Sequence, residues 1–129
     1  MRLRWTERIA CVAVVILALA VSSVALAAGG VVGTYTTTID SPSALKGKWV
    51  LTLGKSGTYT VALNGAALAR GTYSATATTI TLREPDGCGG TGTYAWKKSG
   101  KTMRFVRKRE SPSCPERAAV LAHRFTQVR

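Results

Sequence analysis

Residues 57–74 read GTYTVALNGAALARGTYS, two alternating segments joined at Asn64-Gly65. Asn-Gly is a strong hairpin signal, because a type I′ turn needs positive φ at both central residues and these two tolerate it. On either side, Thr58–Leu63 and Ala67–Tyr73 alternate with a period of two, and Tyr59, Val61 and Leu63 fall on one face. The segment therefore predicts an antiparallel hairpin with one apolar face. The Gly-Thr-Tyr unit that brackets it recurs at 33–35, 57–59, 71–73 and 92–94 and takes up all four tyrosines of the chain.

The same alternation, rich in Thr, Tyr, Val and Trp, runs outward from the hairpin. It predicts strands at Val31–Ile39, Lys48–Leu53, Thr79–Glu84, Thr93–Lys98, Thr102–Arg109 and His123–Val128, with turns at GKSG (54–57) and SGK (99–101). Consecutive antiparallel strands with short links and one apolar face predict an all-β, eight-stranded, antiparallel up-and-down barrel. PERAAVLA (115–122) predicts a short helical turn before the last strand, with Ala118, Ala119 and Leu121 over the barrel end. In each Gly-Thr-Tyr unit the threonine faces out and the tyrosine faces with the apolar set. Two readings follow: the tyrosines fill the core, or their hydroxyls ring a ligand cavity.

The N-terminus, MRLRWTERIACVAVVILALAVSSVALAAGG, has the three parts of an export signal. Arg2, Arg4 and Arg8 form the positive region, Ile9–Val21 is uncharged and apolar, and Ala25-Leu26-Ala27 supplies small residues for cleavage. The apolar run is short against the ~20 residues of a spanning helix, so we expect a signal peptide at 1–27, secretion after cleavage near Ala27, and one barrel domain at 28–129. Retention as a membrane anchor is the competing reading. Cys11 leaves with the signal, and Cys88 and Cys114 remain as an even pair in an oxidising compartment, which predicts a disulfide. In a meander the loops holding these two cysteines emerge at the same end. Closing that loop stabilises by roughly 3–4 kcal/mol in the chain-entropy description.

Cleavage removes three arginines and Glu7, taking the formal charge from +12 to +10. Such a balance attracts anions: envelope polymers, lipid headgroups or nucleic acid. The acids that remain, Asp40, Glu84, Asp86, Glu110 and Glu116, form no strand-mounted pair for general acid and base work, and His123 is a lone histidine. No catalytic residue, metal ligand or cofactor is expected.

SALKGKWVLTL (43–53) carries a Gly-x-Trp at Gly47-Lys48-Trp49, opening a strand after a Pro-containing turn. This motif resembles the first motif of lipocalin and wider calycin barrels. The longer pattern, from Leu45 through the Gly-Thr-Tyr units and Cys88 to Cys114-x-x-Arg117, is similar to small secreted lipocalin-like domains of bacteria, particularly high-GC Gram-positives. The resemblance implies a lipocalin-like barrel with Trp49 packed across one end and Arg124 or Arg129 stacked over its ring. The chain departs from the pattern in lacking a Thr-Asp-Tyr motif between the sixth and seventh strands, in being short, and in placing a strand before Gly-x-Trp.

Two function classes remain. The first is a non-enzymatic carrier that binds a small apolar or amphipathic molecule inside the barrel, where candidate inward cations at one end suit an anionic head. Its candidate lining is Trp49, Tyr59, Tyr94, Trp96, Phe105 and Arg107, the last turned inward by the alternation of Met103 and Phe105. The second is a filled-core interaction protein that works through the hairpin WKKSGKTMRFVRKR (96–109). Its basic surface, Lys97, Lys98, Lys101, Arg104 and Lys108, would meet an anionic cell-envelope surface or a protein partner, as an adhesin or protease inhibitor does. The plain alternative is a solvated strand edge that guards against aggregation. Export argues against nucleic acid.

Overall fold

Asn64 and Gly65 take φ values of 51° and 84°, and Leu63 pairs with Ala66 across them. The hairpin at the centre of the sequence is thus closed by the turn its residues favour. The computed structural model describes residues 30–129; the expected signal peptide lies outside the described residues. Eight strands follow in order: β1 (Gly33–Ile39), β2 (Gly47–Leu53), β3 (Thr58–Leu63), β4 (Ala66–Ala75), β5 (Thr79–Arg83), β6 (Thr91–Ser99), β7 (Thr102–Arg109) and β8 (Phe125–Gln127). A short 3-10 helix, Ser43–Leu45, precedes β2, and one α-helix, α1 (Pro115–Leu121), precedes β8. Every strand pairs antiparallel with its sequence neighbours, and β8 pairs with β1 to close the barrel.

The up-and-down order gives the barrel two unlike ends. At one end stand the β1–β2, β3–β4, β5–β6 and β7–β8 connections, including the 3-10 helix and α1. Cys88 and Cys114 meet there in the expected disulfide, with Cα atoms 5.2 Å apart. We call this the disulfide end. All five acids of residues 30–129 also lie in its connections.

Tyr35, Tyr59, Tyr73 and Tyr94 are all buried. Each hydroxyl has a partner: Tyr35 donates to the Val31 carbonyl (2.8 Å), Tyr73 to the Gly54 carbonyl (2.6 Å) and Tyr94 to Glu110, while Tyr59 accepts from Arg117 (3.4 Å). The repeated unit is therefore a packing unit. Its glycine shares the inward face with the tyrosine two residues on. On β4 and β6, which run away from the disulfide end, that glycine is Gly71 or Gly92 and leaves open volume just inside this end. On β1 and β3, which run toward it, the glycine falls at the strand start instead.

Farther from the disulfide end, the interior is filled. Tyr35, Leu53, Ile80, Met103 and Phe125 are fully buried, and Phe105 meets Phe125 edge to face at 5.9 Å. An eight-stranded barrel is just wide enough to be filled by side chains or to hold one small ligand. This one is filled below and open above.

Candidate functional site

The volume that Gly71 and Gly92 leave open is occupied by a buried polar cluster centred on Arg117. Pro115 starts α1 immediately after Cys114, so the disulfide sets the helix over the barrel end and aims Arg117, one turn on, downward. All five N–H groups of its guanidinium are engaged. Nε donates to Glu110 Oε2 (2.9 Å); Nη2 donates to Glu110 Oε1 (2.6 Å) and to the Gly90 carbonyl (3.1 Å). Nη1 donates to Glu84 Oε2 (3.2 Å) and to the Tyr59 hydroxyl (3.4 Å). A guanidinium has five donors and no acceptor, so none is left for a ligand.

The cluster ties together four parts of the chain. Glu84 follows β5, Glu110 follows β7, Gly90 lies in the β5–β6 loop and Tyr59 is on β3. Glu110 also accepts from the Tyr94 hydroxyl and, through Oε1, from the Ser111 N–H (2.9 Å). The side chains of Arg117, Glu84 and Glu110 are only 8%, 7% and 4% exposed, which places both ion pairs out of bulk water. Burial alone would raise the Glu110 carboxyl, but hydrogen bonds from Arg117, Tyr94 and Ser111 outweigh it and hold the group below the usual carboxylate range. Burial would likewise lower Arg117, and its bonds to Glu110 and Tyr59 hold it above the ordinary arginine value. Tyr94 is raised by burial and then by Glu110, and Tyr59 by burial and then by Glu84. One cation faces two carboxylates, so the cluster is anionic.

Beside the cluster opens a cleft of about 530 Å³. Trp49, Leu51, Val61, Leu82, Val120 and Phe125 form its apolar wall, and Leu68, Cys88, Ser113 and Glu116 lie around its rim. The rim is open on one side for a reason visible in the register. β4 pairs with β5 only from Thr72 to Ala75, whereas its pairing with β3 begins at Ala66. β4 therefore stands clear of β5 near the disulfide end, and the cleft passes out between it and the bridged loops.

The predicted lining residues divide. Trp49 and Tyr59 line the cleft, and Trp49 is 5% exposed with its indole N–H on the Leu45 carbonyl (2.8 Å). Tyr94 is buried with its hydroxyl in the polar cluster, and Phe105 is buried against Phe125. Trp96 is half-buried toward the opposite end, its indole N–H donating to the Thr76 carbonyl (2.9 Å). None of these three borders the cleft. Arg107, expected inside, is exposed, as is Arg109. The β6–β7 register shifts between Thr93 and Tyr94 and leaves Lys108 without a partner, and the interior beside Tyr94 is already taken by Glu110 and Arg117. A second guanidinium there would be buried against the first, in space that Arg117 and its two carboxylates already fill.

On the basic hairpin, Lys97, Lys101, Arg104 and Lys108 are exposed as predicted, but Lys98 turns inward and is half-buried, its Nζ 5.9 Å from the centre of the Tyr35 ring. Arg124 and Arg129 are exposed, and among the described residues the cation over an aromatic ring is Lys98, so the expected stacking of either arginine on Trp49 is not formed. Sequence reasoning passed over Arg117, Glu84 and Glu110 as a group. The available signal was Arg117 placed one helical turn after Cys114, with acids at the ends of the two strands that flank the cysteine loops.

No family model, curated protein or solved structure matches this chain. The closed eight-stranded antiparallel barrel is consistent with a lipocalin-like architecture.

Proposed function

We propose that this protein is a secreted, non-enzymatic, lipocalin-like barrel that binds a small apolar or amphipathic molecule in the cleft at its disulfide end. The observation that carries the reading is the apolar cleft itself, about 530 Å³ over an otherwise filled core. That volume lies within the ~300–1,000 Å³ of small-molecule sites. A disulfide in the fold fits an exported protein.

The polar border of the cleft sets the expected head group. Arg117 has no free donor, Glu84 accompanies it in the lining, and Glu116 stands at the rim. The site therefore favours a neutral or cationic head over an anionic one. The carboxylates of Glu84 and Glu110 are held by Arg117, which leaves them as structural acceptors and supports a binding role without catalysis.

The test uses a Trp96→Phe variant, in which Trp49 is the reporter within the barrel. Dodecanol, dodecylamine and dodecanoate are titrated at matched concentrations below micelle formation. Saturable quenching by the alcohol or amine, weaker for the carboxylate and lost in Val61→Phe, is the expected result. An absence of saturable change, or a preference for the carboxylate, overturns the reading.

A further inference from the structure

The wall formed by β6, β7 and β8 carries a second feature, independent of the cleft. Residues 91–109 contain seven cations and no acid, and residues 123–129 add Arg124 and Arg129, again without an acid. Among the described residues the ion pairs are those of Arg117, so the cations of this wall are unpaired. Register makes the imbalance sharper. Lys97 stands directly opposite Arg104, and Arg124 immediately precedes β8, whose first residue Phe125 pairs with Met103, which sets Arg124 beside Arg104. Three exposed cations thus form a row across β6, β7 and the entry to β8, with neighbouring strands ~4.8 Å apart. Like charges directly opposed on a sheet oppose folding. In the next outward row Ala95 pairs with Val106, which is 66% exposed in the middle of the cations, and Lys108 lies beyond.

Protection of a sheet edge accounts for Arg107, Lys108 and Arg109, because β8 pairs with β7 only at Thr102 and Met103 and leaves the rest of β7 open on that side. It does not require Lys97, Arg104 and Arg124 to stand in one row. Nor does the wall offer a groove for a single polymer chain, since no residue from 91 to 109 borders the cleft. A stacking platform for nucleobases is missing too: Phe105 is buried, and Trp96 is half-buried with its N–H engaged. What remains is a convex surface of long cationic side chains around an exposed aliphatic residue. Such side chains lay their stems on an apolar boundary while their heads reach anionic groups.

We propose that the outer wall of β6–β8 docks the protein on an anionic phospholipid surface, with Lys97, Arg104, Arg124 and Lys108 on the headgroup phosphates and Val106 at the headgroup–acyl boundary. This wall lies across the barrel from β2–β4, so the cleft mouth beside Leu68 stays open to water when the protein is docked. Each cation near an anionic bilayer is worth about fivefold in affinity.

Residues 31–127 contain the whole described core and close the barrel, so residues 28–129 form the unit to test. Sedimentation is measured with vesicles of phosphatidylglycerol and phosphatidylcholine in equal parts, and with phosphatidylcholine alone. Binding to the mixed vesicles only, weakened by salt, reduced about a hundredfold in Lys97→Ser/Arg104→Ser/Arg124→Ser and reduced in Val106→Ser, is expected. Thermal midpoints no lower than the parent protein's and unchanged dodecanol titrations show that these variants keep the fold and the cleft. The proposal is overturned by no binding to the mixed vesicles or by full binding of the triple variant. Soluble polyphosphate that displaces the protein at equal phosphate concentration, with Val106→Ser without effect, also overturns it and assigns the wall to a soluble polyanion.

Discussion

The ring of Tyr59 lies over Gly71, its partner across β3 and β4: a Cβ at Gly71 would stand 2.8 Å from Tyr59 Cε1 and would overlap the carbonyl oxygen of Arg83. The third Gly-Thr-Tyr unit thus needs its glycine for space. The absent side chain lets β5 approach β4 and lets Tyr59 reach Arg117. Gly71→Ala has backbone on one side and a core ring on the other, so nothing nearby yields at low cost. We expect it to destabilise the barrel by at least ~1–3 kcal/mol, the range for overpacked cores, read by denaturant unfolding. Gly65→Ala is the informative contrast for steric crowding, since a Cβ there meets nothing within 4 Å and only its positive φ opposes it.

Arg117 holds α1 to the barrel, and its removal leaves Glu84 and Glu110 buried without a counter-charge. Arg117→Met is expected to cost about 3–5 kcal/mol, as for a broken buried ion pair. Adding Glu84→Gln and Glu110→Gln removes the uncompensated charges and should recover a large part of that loss. If the single variant is as stable as the parent protein, the cluster has no structural role.

Glu110 gives stability a defined acid limit. Its folded pKa is held below the unfolded value, so its contribution is complete above ~4.3 and is lost as the pH falls through the lowered value. The tyrosines set the opposite limit. Burial, and then Tyr73, push Tyr35 up to about 12, and Tyr59, Tyr73 and Tyr94 are also raised. A raised tyrosine stabilises the fold fully below its unfolded value near ~10, and the contribution fades as the pH climbs toward the folded value. Thermal midpoints should therefore drop below pH ~4 and above pH ~10, with tyrosinate absorbance appearing only as the barrel opens.

The disulfide and the Arg117 cluster fix the same helix, so each should lean on the other. Cys88→Ala/Cys114→Ala is expected to lose roughly 3–4 kcal/mol. Residues in one network do not add independently, and combining this pair with Arg117→Met should show a coupling of ~0.5–3 kcal/mol. Strict additivity in a double-mutant cycle would show that the two ties act on separate parts of the chain.

Local chemistry by itself determined the strands, their order and the disulfide. Asn64-Gly65 selects one turn, the period of two assigns an inward face, and alternating strand direction brings the Cys88 and Cys114 loops to one end. The same count of two, carried past Tyr94 and Trp96, reaches Lys98, which the charge pattern assigned to the basic surface and the structure turns inward. What the tertiary structure alone decided is which inward side chains meet. Arg117 finds Glu110, Glu84 and Tyr59 across 7, 33 and 58 residues of chain, distances over which no sequence period carries information. Arg107 obeys the period as far as Phe105, and then a register shift and an interior filled by another guanidinium leave it in water. The open side of the cleft likewise depends on where β4 parts from β5, a register set by packing on both faces of the barrel. Strand pattern is a property of neighbours along the chain, whereas charge pairing and free volume belong to neighbours in space.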